Sequence, residues 1–125
     1  MRKAFLLIAA VAMVSVAPLA GDEPKGSHIM KAKLKFSKQV LAGLVNNDFD
    51  DISEGAEYLG RLGRLESWSR AFTPEYKAQL QIFYSANQDL RRMAKDKNLD
   101  GATLAYMQLT LSCVNCHKVV REPTE

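Results

Sequence analysis

The spacing of the apolar residues restricts this chain more than any other feature. From about residue 28 onward they recur at helical intervals, and no segment alternates with the period of two that a half-buried strand needs. Met30, Leu34, Leu41 and Leu44 stand at i, i+4, i+11 and i+14, one face of a first helix that Asn46-Asn47-Asp48 interrupts. Asp48 reads as the N-cap of a second helix, with Asp50 and Asp51 in the first turn, where the helix dipole favours acids. Its stripe is Ile52, Ala56, Leu59, Leu62 and Leu65. Gly55, Gly60 and Gly63 make it the weakest helix on propensity, and they leave room for a neighbouring helix or a flat ligand.

Thr73-Pro74-Glu75 is a strong helix start: a hydroxyl cap, proline at the first helical position, then an acid. Tyr76, Leu80, Phe83, Leu90 and Met93 or Ala94 form a third stripe. Asn98 to Gly101 reads as a turn, with Asp100 as the cap of a last helix whose stripe is Ala102, Tyr106, Leu109, Cys113, Cys116 and Val120. Four amphipathic helices with short joints predict an all-α, up-down-up-down antiparallel four-helix bundle.

The amino terminus reads as an address. Met1-Arg2-Lys3 precedes a run from Ala4 to Ala20 broken only by Ser15 and Pro18, the charged and apolar regions of a secretory signal. That run is seventeen residues long, short of the roughly 20 that a spanning helix needs. The expected organisation is a signal peptide over 1–20, a flexible lead-in over 21–27, one domain over 28–121 and a tail over 122–125. The expected product is an exported, periplasmic protein with no membrane attachment after signal cleavage. Without residues 1–20 the charges are 15 basic and 14 acidic, a net +1. That balance gives no electrostatic case for nucleic acid as a partner.

Cys113-Val114-Asn115-Cys116-His117 carries the chemistry. C-x-x-C-H is the attachment signature of c-type haem. Residues three apart share one helix face, so both thiols reach the two vinyl groups on one porphyrin edge, and His117 turns its imidazole under the iron. A tetrahedral zinc site needs about four ligands, and His28 is the only other histidine. A thioredoxin-type redox pair normally opens a helix after a strand, and a structural disulfide is geometrically poor at this spacing on a helix. The expected cofactor is one covalent haem c, with His117 as proximal axial ligand.

With those residues in view, the chain resembles the cytochrome c′ superfamily, including its low-spin, methionine-ligated members. The resemblance spans residues 28–121 and rests on four amphipathic helices with C-x-x-C-H near the carboxyl end. Arg121, four residues after His117, looks like the basic residue that commonly follows the haem histidine there. The family implies a haem in the bundle core and electron transfer or small-gas binding as the activity. It also implies other redox proteins as partners and makes a homodimer a common assembly.

In such a bundle the first and last helices are antiparallel neighbours. At a rise of ~1.5 Å per residue, Met30 and His117 sit at the same height, whereas Met93 and Met107 fall at the opposite end. Met30 is therefore the expected distal axial ligand. Leu34 over an open iron is the alternative, and ligation by His28 a third; His28 otherwise reads as exposed. The same argument brings Leu62, Leu65, Trp68, Phe72, Tyr76 and Leu80 near the ring, with Lys118 and Arg121 as candidates to neutralise a haem carboxylate. Tyr106 is expected in the core with its hydroxyl at the rim. Lys31, Lys33, Lys35 and Lys38 read as a solvated basic cluster that could also steer an acidic redox partner.

The most concrete expectation is a periplasmic electron carrier with His117 and Met30 as axial ligands. Its alternative is a five-coordinate binder of nitric oxide or carbon monoxide with Leu34 over the iron. Catalysis is not expected, because no distal acid–base group stands out.

Overall fold

The computed structural model describes residues 25–69 and 73–121. They form four helices: α1 (Lys25–Asn46), α2 (Phe49–Ser69), α3 (Pro74–Lys95) and α4 (Leu99–Arg121). The signal and tail expected over 1–20 and 122–125 lie outside the described residues. Among the described residues no helix is long and apolar enough to cross a membrane. α1 begins at Lys25, so the end of the expected lead-in is helical.

Successive helices pack side by side through short links, which makes a four-helix bundle, and α1 touches α4 least. The starts are set locally. The Asp48 carboxylate accepts the backbone N–H groups of Asp50 and Asp51, each at 3.1 Å. Thr73 Oγ1 accepts the N–H of Tyr76 at 3.3 Å. The last helix departs from expectation: Asn98, not Asp100, is the cap, its Oδ1 accepting the Gly101 N–H at 2.9 Å. Asp100 lies in the first turn instead, where a negative charge meets the positive end of the dipole.

The core fills one half of the bundle. Val40 and Leu44 of α1 meet Ile52 and Ala56 of α2, Leu90 and Ala94 of α3, and Ala102 and Ala105 of α4. The faces of α1 and α2 differ from the expected stripes. On a wheel of about 100° per residue, Val40 and Leu44 define the buried side of α1. Leu34 and Leu41 sit roughly 100–120° away and are exposed. On α2 the buried line runs Ile52, Ala56, Leu59, Gly63, Glu66. Each three-residue step beyond Leu59 drifts backward by about 60°, so Leu65 turns out to solvent. Val120 likewise ends exposed near the end of α4.

The glycines of α2 serve helix contacts. A Cβ at Gly55 would stand 2.7 Å from Val40 Cγ2 and 3.0 Å from the Phe36 carbonyl oxygen. One at Gly63 would stand 2.8 Å from the Phe83 ring. Gly55→Ala therefore pits a helix-propensity gain of ~1 kcal/mol against overpacking of ~1–3 kcal/mol on the α1 backbone. Overpacking should win. The variant is expected to show a lower urea midpoint with an unchanged slope.

Candidate haem cavity

The other half of the bundle is hollow. A cavity of about 510 Å³ opens between α1 and α4, floored by α2 and α3, within the ~300–1,000 Å³ range of cofactor sites. Met30 and Leu34 border it from α1, Leu59 from α2, Tyr76, Leu80 and Phe83 from α3, and Leu109, Cys113, Cys116 and His117 from α4. The four helices meet there at one end: the start of α1, the end of α2, the start of α3 and the end of α4. Met93 lies at the far end, where its sulfur accepts from Asn98 Nδ2 at 3.4 Å. Met107 is exposed on α4.

Several expected pocket residues are not in this lining. Leu62 is half-buried and Leu65 exposed, both turned away by the drift of the α2 stripe. Lys118 and Arg121 are exposed and border no part of the cavity. The Trp68 side chain and Phe72 lie outside the described residues. His28 is exposed at the start of α1 and does not border the cavity. Tyr106 spans the α1–α4 seam, its hydroxyl donating to the Ser37 carbonyl at 3.0 Å and meeting Ser37 Oγ at 3.0 Å.

A polar cluster in the wall was not expected. Glu66 of α2 is 2 % exposed and accepts both the Lys33 ammonium of α1 and the Tyr76 hydroxyl of α3. Lys33 is thus no surface charge; its side chain is 13 % exposed, and its nitrogen also stands 4.6 Å from the centre of the Phe83 ring. The wheel explains the burial: Lys33 falls within about 20° of Val40, and Glu66 continues the line of Ile52 and Leu59. An isolated charge at either position would be costly, so each needs the other. Lys33→Met alone should destabilise the chain by ~3–5 kcal/mol. Lys33→Met with Glu66→Leu should recover most of that loss in urea denaturation.

The same cluster shapes the site's proton affinities. Burial, followed by the hydrogen bond and charge of Glu66, holds the Tyr76 phenol well above its ordinary value, with Cys116 adding to the rise. Tyr76 is thus a neutral donor at any physiological pH. Burial pushes the Cys113 thiol up, opposed mainly by the Lys33 charge. Cys113 and Cys116 are not joined to each other by a disulfide.

These residues fit a flat, largely apolar group with a polar edge. The thiols and His117 follow one another along one wall, and Met30 and Leu34 stand on the helix across the opening. Gln79 also borders the cavity, and its buried Oε1 has no hydrogen-bond partner among the described residues. Compared with family models, curated proteins and solved structures, the chain matches none.

Proposed function

We propose that the chain is an exported, periplasmic c-type cytochrome that carries electrons. One observation carries the reading: Cys113, Cys116 and His117 border the hollow half of the bundle, and Met30 borders the same cavity from α1. Cys113 and Cys116 would hold a haem by thioether bonds, with His117 as fifth and Met30 as sixth ligand. Bound there, the haem supplies a one-electron couple at its iron, and a methionine ligand raises its potential.

The chain's own part is positioning. α1 and α4 bring Met30 and His117 to one cavity, where they would hold the iron, and the Tyr106–Ser37 contacts tie those helices a few turns away. Leu59, Leu80, Phe83 and Leu109 present apolar surface that would keep water from a bound ring. Two fixed ligands leave little to rearrange between oxidation states, as a carrier requires.

Leu34 favours a second reading, because it borders the same cavity from the same helix. A leucine over the iron leaves one position open, which suits a binder of nitric oxide or carbon monoxide. Absorption spectra of the oxidised and reduced holoprotein, with and without carbon monoxide, separate the two. The carrier reading expects a low-spin spectrum with a methionine-to-iron charge-transfer band, insensitive to carbon monoxide. A high-spin spectrum that shifts with the gas overturns it in favour of the second.

A further inference from the structure

The outer face of α1 and α4 at the cavity opening combines exposed basic and exposed apolar residues. α1 carries five lysines and no acid, Lys33 among them paired inward with Glu66, and α4 has no acid beyond Asp100. α2 holds five acids against Arg61 and Arg64. α3 holds Lys77, Arg91, Arg92 and Lys95 against Glu75 and Asp89, so α2 is the acidic helix of the bundle and α1, which flanks the cavity opening with α4, is the most basic.

That side also has an apolar centre. Leu34 and Val114 border the opening and are 57 % and 48 % exposed. Leu41, two turns along α1 from Leu34, and Leu111, one turn before Val114, extend the exposed surface on either side of the seam. Lys31, Lys38, Lys118 and Arg121 are exposed on the same two helices. Apolar residues surrounded by cations, with no acid among the described residues of that face, suit an acidic surface bearing an apolar spot. Charge of one sign steers such a partner into register, and the apolar contact holds it there.

We infer that the α1–α4 face at the cavity opening is the docking surface for an acidic redox protein, which exchanges electrons with the chain across that opening. The inference rests on the electron-carrier reading and adds the side of approach and the charge of the partner. The transfer is a single electron between the two bound centres, with no bond made or broken in the chain.

The test uses the holoprotein at a gold electrode coated with a carboxylate-terminated monolayer, against a hydroxyl-terminated one. The expected result is a reversible wave on the carboxylate surface that fades as ionic strength rises, and little response on the hydroxyl surface. Lys38→Gln with Lys118→Gln should slow electron exchange roughly tenfold. Lys77→Gln with Arg91→Gln, on α3, removes the same charge and should change it little. Equal loss in both pairs would mean that net charge alone governs the response, and would overturn the docking face. Sedimentation showing a dimer that Leu111→Asp dissociates would assign the face to a second copy and also overturn it. A haem-bearing chain that fails these tests loses only the docking face. A chain purified without haem absorbance loses the carrier reading itself.

Discussion

Replacing Cys113 and Cys116 together with serine should give a chain that loses any haem completely when unfolded, whereas the unaltered holoprotein should keep one per chain. The argument is chemical: a thioether survives denaturant, and an axial bond from His117 does not. Each single variant should retain the group through one bond, with a shifted spectrum. The double variant should also melt lowest, because an apolar cavity of about 510 Å³ would lose a group held only by the folded chain. Absorbance of the chain in guanidinium after gel filtration reads the first effect, and thermal melting the second.

Met30→Ala should produce the other large change. On the carrier reading, removing the thioether would leave His117 as the only protein ligand to the iron, which would become high-spin and open to carbon monoxide. Its potential should fall on the order of 0.1 V or more, a fraction of the ~0.8 V that axial ligands command. Leu34→Ala is the matched comparison one turn away, expected to leave spin state and potential nearly unchanged. If Leu34→Ala alters gas affinity while Met30→Ala leaves the spectrum as it was, the two side chains have exchanged roles. Redox titration of the three proteins decides between these outcomes.

Much of the bundle was legible because its helices carry local signals. Thr73-Pro74 sets the start of α3 regardless of what packs against it, and Tyr76, Leu80, Phe83 and Leu90 keep phase along its length. The level argument needed only helix lengths and a short-linked topology, and Met30 and His117 do border one cavity. The end of α2 was misread for a physical reason. Leu62 and Leu65 are more apolar than Gly63 and Glu66, yet the interior takes the glycine, because Phe83 lies where its side chain would be.

It takes the glutamate because Lys33 and Tyr76 satisfy it. Apolarity alone does not reveal a charge that is buried against a partner from another helix. A usable signal was present nonetheless. Lys33 and Glu66 each lie in phase with the apolar line of their own helix, and two opposite charges out of place at the same level imply a pair. The cap of α4 shows a smaller version of the same limit, since Asn98 and Asp100 are both good caps and only the turn chooses between them.

The most direct test of the central claim is the absorbance of the full-length chain, produced in a host that exports it and attaches c-type haem, then purified and fully denatured. The account predicts a haem absorbance that stays with the polypeptide, one per chain, with both cysteines blocked to alkylation. A colourless polypeptide in which Cys113 and Cys116 both alkylate would contradict it.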